Sequence, residues 1–216
     1  MATLTLALNW SMAAAATARA PSLAIDIDSL SAASTKANVA VDMFLDANAQ
    51  KAKLSTAAAY ETMIWIGTVG GVQPFHSQNT SDPPTFDLSG TTFSLFMGPN
   101  QSNQTVFTWL ASSNLTSLAP GHDFSPLLRY LYQHDLLPAS TYLGTYQVGT
   151  ETYHATKKVV FAAEAIQMGV GRKGGTSAPA PVGGSEQKKS DGVHVIGQAR
   201  WGAIALVGCV LGLLVL

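Results

Sequence analysis

The run Tyr60-Glu61-Thr62-Met63-Ile64-Trp65-Ile66 sets one carboxylate among aromatic and apolar neighbours. Side chains on a strand repeat every two residues, so Glu61, Met63 and Trp65 share one face and Tyr60, Thr62, Ile64 and Ile66 the other. Burial disfavours an ionised carboxylate unless something pairs with it, so a face joining an acid to Trp and Met is either solvated or a site. Taken alone, the run favours the plainer reading, a sheet-surface acid beside a large aromatic. Only four glutamates occur, at 61, 151, 164 and 186, and Glu61 and Glu151 both lie in aromatic, Thr-rich settings. Paired carboxylates flanked by aromatics suit glycoside hydrolysis. One group attacks the anomeric carbon or activates water while the other protonates the leaving oxygen, and flat rings match the C–H faces of sugars. Residue types alone do not single out this pair from the other acids.

The elements that must position these groups read as an all-β domain from about Pro21. Asn38 to Phe44 alternates, and so does Tyr60 to Ile66 after the polar stretch Asp46 to Ser55. Thr68 to Pro74 is Gly-rich and Ser77 to Pro84 is a polar loop; strands follow at Thr85 to Leu88, Thr91 to Met97 and Thr105 to Ala111. Short strands with turn signals about every ten residues point to a β-sandwich or barrel. Asp123 to His134 breaks the pattern: apolar residues at 124, 127, 128 and 131 have helical spacing. Asp123 suits an N-cap and Pro126 the first turn, so one helix is expected to pack on the sheet. Two strands are expected at Tyr142 to Val148 and Lys157 to Ile166, with Glu151 between or on them. Residues 1–20 read either as a signal peptide ending in Ala18-Arg19-Ala20 or as an N-terminal strand beginning with the alternating Thr3 to Leu6.

Composition bounds the alternatives. Charged residues make up 12% of the 216 and the net charge is -1, so no basic surface for nucleic acid is expected. The single cysteine, Cys209, rules out an internal disulfide and a Cys-based metal site. The five histidines show no ligand spacing, so no metal and no cofactor is expected. No Gly-x-Ser-x-Gly elbow appears, which argues against a serine hydrolase. Five Asn-x-Ser/Thr sequons, at Asn9, Asn79, Asn100, Asn103 and Asn114, are compatible with secretion. Residues 170–200, rich in Gly, Ser, Pro and Lys, read as a flexible linker between a domain at 21–169 and an apolar segment at 201–216. That segment holds no charge and is short of the about 20 residues a spanning helix needs. With Ser190-Asp191-Gly192 and a short spacer before it, it fits a glycosylphosphatidylinositol signal with attachment at Ser190, and a short C-terminal membrane helix is the other reading. Either tethers a secreted chain to the cell surface.

Four motifs in order, Asn38-Val39-Ala40-Val41-Asp42-Met43-Phe44, Tyr60 to Trp65, Gly70-Gly71-Val72-Gln73-Pro74 and Gly149-Thr150-Glu151-Thr152-Tyr153, resemble glycoside hydrolase family 12, over about residues 36 to 168. The family comprises endo-β-1,4-glucanases and xyloglucan-specific endoglucanases. The resemblance implies a jelly-roll β-sandwich of two antiparallel sheets, with a β-glucan bound by a monomer in the groove of the concave one. It implies Glu61 as nucleophile, Glu151 as general acid/base, Asp42 as a supporting acid, and Met63, Trp65 and Tyr153 as substrate contacts. Retaining double displacement needs Glu61 ionised and Glu151 protonated at rest. Thr152-Tyr153 stands where the family usually has Pro-Phe. Residues 1–35 show no counterpart of the family's N-terminal strands, so the sandwich is expected to be incomplete there. A glucan-binding surface protein without cleavage is the alternative function. Read without the family, Asp42 is an exposed strand acid, Glu151 a loop carboxylate, and Trp109 either a core or a sugar-stacking residue.

Overall fold

The computed structural model describes residues 3–14, 24–171, 203–207 and 214–215, the last two stretches by backbone alone. Two sheets face each other. The smaller has strand order β7-β1-β9, from Ser117–Leu118, Thr3–Ala14 and Val159–Gly171. The larger runs β10-β8-β2-β3-β6-β5-β4, from Ala203–Val207, Tyr142–His154, Lys36–Asp46, Tyr60–Val69, Thr105–Ala111, Thr91–Pro99 and Thr85–Leu88. A short β11, Leu214–Val215, also pairs with β8.

Several expectations need correction. The larger sheet is not wholly antiparallel, because β3 and β6 pair in parallel, Glu61 opposite Val106. β5 is antiparallel to both β4 and β6, so β4 and β6 run the same way as β3, and the long β3–β4 connection brings the chain back to the end of the sheet where β3 began. There are two α-helices among the described residues, not one. The second, α1 at Ile27–Ala32, is a six-residue turn too short to show a period, started by Asp26, whose carboxylate accepts from the Ser29 amide at 3.0 Å. The expected helix is α2, Ser125–Gln133, with Phe124, Leu127, Leu128 and Leu131 all in the core and Pro126 in its first turn. Phe124 is its N-cap; Asp123 instead accepts from the amides of Ser125 and Leu4, each at 2.9 Å, joining the helix start to β1. β8 does not stop at Val148 but runs through Glu151 to His154. Of the two readings of residues 1–20, the structure has a strand over Thr3–Ala14. Most of the linker and Ser190 lie outside the described residues.

The core explains the arrangement. Leu4, Leu6, Leu8, Trp10 and Met12 alternate inward from β1 against Val39, Val41, Met43 and Leu45 of β2 and Ile64 and Ile66 of β3. Trp109 belongs to this core, packed edge-on against Tyr130 at 5.2 Å. A bulge in β3 leaves Ile66 without a direct partner: Ala40 pairs with Trp65 and Val39 with Gly67. The bulge turns Gly67 toward the core beneath Trp10, whose indole N–H donates to the Leu115 carbonyl at 2.8 Å. A Cβ at Gly67 would lie 2.3 Å from the Trp10 ring, so only glycine admits the indole there. Gly67→Ala is therefore expected to destabilise the fold by about 1–3 kcal/mol through overpacking, read as a lower urea midpoint, whereas Gly71→Ala meets no neighbour and suffers only its backbone strain.

Candidate active site

Strand β2 is the axis of the site. It is paired on one side with β3 and on the other with β8, both antiparallel. Asp42 stands opposite Met63 and Gln147, Glu61 opposite Phe44, and Glu151 opposite Asn38. Directly paired residues share a face, so Glu61, Met63, Trp65, Asp42, Gln147, Asn38 and Glu151 all project from the face turned away from the sandwich core. Ala40 and Gly149, a facing pair, keep the floor low between Asp42 and Glu151.

The carboxylates sense one another. Glu61 is pushed up to about 7, first by burial and then by the charge of Glu151, with Asn100 acting the other way. Asp42, only 5% exposed, is pushed up to about 8 by burial, then by Glu61; the Gln147 amide, which donates to its Oδ2 at 3.0 Å, opposes this. Asp42 Oδ1 is buried and has no hydrogen-bond partner among the described residues. In the free cleft both shifts favour the protonated acids, whereas double displacement calls for an ionised Glu61. A like-charged neighbour and a dry setting raise an acid's pKa together, and a substrate that brings hydroxyl donors would relieve both.

Glu151 is held on three sides. Asn38 Nδ2 donates to its Oε2 at 2.6 Å, the Tyr153 hydroxyl donates to the same oxygen at 2.6 Å, and the Glu151 amide donates to Asn38 Oδ1 at 3.0 Å. Thr150 Oγ1 also donates to the Asn38 carbonyl at 2.5 Å. Tyr153 is half exposed, with its ring 6.3 Å from that of Trp65. Met63 and Trp65 are buried together with Ala40 under Val72 and Leu110, so they form the packed floor beside the acids.

At the Glu61 end, the loops are tied by Gln104. Its Nε2 donates to the carbonyls of Ser55 at 2.6 Å and Ala58 at 2.8 Å, and its Oε1 accepts from Asn100 at 2.8 Å. Asp46 closes the β2–β3 connection by accepting from the amides of Asn48 and Ala59, at 2.6 and 2.9 Å. Sequence reasoning missed Asn38, Gln147, Asn100 and Gln104. The first two lie on the same period-two faces as Asp42 and Glu151 and were within reach of that pattern; the loop residues had no such signal. His76 lies over Gly98, which shares the open face with Glu61 through Val106, its ring against the Pro99 carbonyl at 3.0 Å. Among the described residues no group of three His, Cys, Asp or Glu side chains is arranged to hold a metal.

The raised acids carry a pH signature. An acid whose folded pKa exceeds its unfolded value binds its proton more tightly when folded, so stability is greatest below the unfolded pKa and falls as pH rises toward the folded one. For Asp42 and Glu61 that window runs from about pH 4 to about pH 8. The thermal midpoint is expected to fall across this range and Asp42→Asn to flatten the slope, measured by thermal unfolding at pH 5 and pH 8; a slope unchanged in the variant would count against a strained Asp42.

The family model for glycosyl hydrolase family 12 matches residues 15–168. A xyloglucan-specific endo-β-1,4-glucanase A of Emericella nidulans is 36% identical over 117 residues, 54% of this chain and 45% of that protein. A xyloglucan-specific endo-β-1,4-glucanase 1 of Phytophthora sojae is 34% identical over 120 residues, 56% of this chain and 46% of that protein. A protein of Phytophthora nicotianae named an inactive glycoside hydrolase is 32% identical over 117 residues, 54% of this chain and 45% of that protein. The chain thus spans about half the length of these curated relatives. Among solved structures, endoglucanase 3 of Trichoderma harzianum superposes with a TM-score of 0.53 at 24% identity, covering 76% of this chain and 63% of that one. The family 12 xyloglucanase of Bacillus licheniformis superposes at 0.57 with 16% identity, covering 78% of this chain and 62% of that one. At such identities the superpositions speak to the fold, an all-β jelly roll of two sheets, and the match over residues 15–168 speaks to descent: the chain belongs to glycosyl hydrolase family 12.

Proposed function

We propose that the chain is an endo-acting β-1,4-glucan hydrolase, acting on xyloglucan or cellulose by retaining double displacement. The observation that carries this reading is the pair Glu61 and Glu151 flanking β2 on one face, electrostatically coupled, with Asp42 between them. In the first step Glu61 attacks the anomeric carbon while Glu151 gives its proton to the leaving oxygen. In the second, Glu151 takes a proton from the water that hydrolyses the glycosyl ester. Asp42 serves Glu61 as a neighbouring acid that shares its proton load, Met63 and Trp65 shape the floor, and the Tyr153 ring borders the sugar path.

A second reading, a glucan-binding protein that does not cleave, is favoured by the similarity to the Phytophthora nicotianae protein named inactive and by the burial of Met63 and Trp65, which presents little open aromatic surface. Release of reducing sugar from xyloglucan and carboxymethyl-cellulose by the full chain separates the two. Glu61→Gln is expected to lower the rate by about 10³-fold or more; activity that survives in it would remove Glu61 as nucleophile. An inert wild-type chain that sediments with insoluble glucan supports the binding reading.

We further propose that the chain is secreted and held at the cell surface by its apolar segment 201–216, through attachment at Ser190 or as a membrane segment. No helix among the described residues is long and apolar enough to cross a membrane. Support comes from the sequons. Asn79 and Asn103 are exposed, Asn103 at positive φ in a tight turn, whereas the side chains of Asn9, Asn100 and Asn114 are engaged in hydrogen bonds. Expression through a eukaryotic secretory route is expected to give glycans at 79 and 103. The check is the gel shift on glycosidase treatment, abolished in the Asn79→Gln/Asn103→Gln double variant.

A further inference from the structure

The hydroxyl of Tyr153 and the amide of Asn38 converge on a single oxygen of Glu151, Oε2, at 2.6 Å each. The other oxygen, Oε1, makes no side-chain or backbone hydrogen bond among the described residues. The donor roles are fixed by chemistry. The Glu151 backbone N–H can only donate, so the Asn38 end facing it, 3.0 Å away, is the carbonyl Oδ1 and the end facing Oε2 is the NH₂. The second N–H of that NH₂ points at the Tyr153 oxygen, 2.9 Å away. With its lone pair so occupied, the phenol turns its own O–H toward Oε2. Burial and the charges of Glu151 and Glu61 hold the phenol protonated across the working range, so it remains a donor.

Two donors on Oε2 leave no room for a proton there. We propose that Tyr153 is a positioning residue which, with Asn38, confines the proton of Glu151 to Oε1. This rests on the reading of Glu151 as the acid/base. In the glycosylation step the Oε1–H proton passes to the glycosidic oxygen as the C–O bond breaks with its electron pair on oxygen. In the second step the same Oε1 recovers a proton from water. A carboxylic acid free to carry its proton on either oxygen spends part of its population with the proton turned from the bond to be broken; the clamp removes that fraction. The effect belongs to the hydroxyl, which a phenylalanine at this position lacks.

The test is Tyr153→Phe, which keeps the ring beside Trp65 and removes one oxygen at a half-exposed position. With ¹³Cδ-labelled glutamate, the chain has four resonances, at 61, 151, 164 and 186, assignable by substitution. The Glu151 resonance is expected to shift in the variant, as that of a carboxyl group which has lost one of the two donors on Oε2, with the Glu164 resonance unmoved. In parallel, hydrolysis of a cello-oligosaccharide with a phenol leaving group, which needs protonation, is expected to slow about tenfold in kcat, at unchanged KM. The same oligosaccharide with a 2,4-dinitrophenol leaving group, which departs unprotonated, should keep its glycosylation rate. An unmoved Glu151 resonance overturns the proposal regardless of activity, and so does an equal loss on both leaving groups. A wild-type chain that cleaves neither substrate overturns the hydrolytic reading and the positioning role with it, while a shifted resonance would still report the hydrogen bond itself.

Discussion

The site depends on the hydrogen-bond register of β2 with both of its neighbours. Every acid on the open face is placed by that ladder: Phe44 sets the level of Glu61, and Asn38 that of Glu151. Because side chains alternate, a slip of one residue between β2 and either partner would send the acids into the core and Val39, Val41 and Met43 into water. Ten of the eleven β2 residues are buried, so such a slip would have to expose apolar surface worth several kcal/mol, at roughly 25 cal/mol per Å². Packing of the inner face thereby fixes the chemistry of the outer one.

That coupling explains how a costly cluster persists. Three acids within range of one another, one of them almost fully enclosed and with an unpartnered oxygen, oppose folding at neutral pH. The strands that carry them are held by a core that extends from Leu4 to Val170 and by the Gln104 and Asp46 ties at the loop ends. Local strain at a site supported by a rigid surround is the usual arrangement in enzymes, and here the surround is two ladders and a set of buried carbonyl contacts.

What the sequence made legible was whatever repeats. Period two marked β2 and β3 and assigned their faces, and helical spacing marked the buried side of α2. What it hid were features without a period. Asn9 and Ser11 look like interruptions of an apolar run, but they lie on the face opposite Leu8, Trp10 and Met12, so β1 continues through them. The bulge at Ile66 reverses the parity that carries Gly67 inward, and no residue type announces it. The parallel pairing of β3 with β6 depends on the long β3–β4 connection, which starts β4 in the same direction as β3, and on no local motif. Glu151 looked like a loop residue because Gly149 and Thr150 read as a turn; both are strand residues pairing with β2. The candidate acids were accessible as rare residues in aromatic settings, whereas their amide partners, Asn38 and Gln147, are common residue types whose role appears only once strands are set side by side.

The smaller sheet joins the two ends of the domain: Thr3 lies opposite Gly171 and Ala14 opposite Val159. Among the described residues the strand partners of β1 are β9 and the two residues of β7, and the nearer contact is a single bridge of Met12 to Ile25. During synthesis, then, β1 emerges with Leu4, Leu6, Leu8 and Trp10 ready for burial long before β9, its main partner, is made. The β1–β9 pairing is highly non-local, a feature of slowly folding topologies. Until it forms, an apolar strand with open edges is available to other chains. Yield from a cell would then be governed less by the final stability of the sandwich than by what shelters β1 in the interval before β9 arrives.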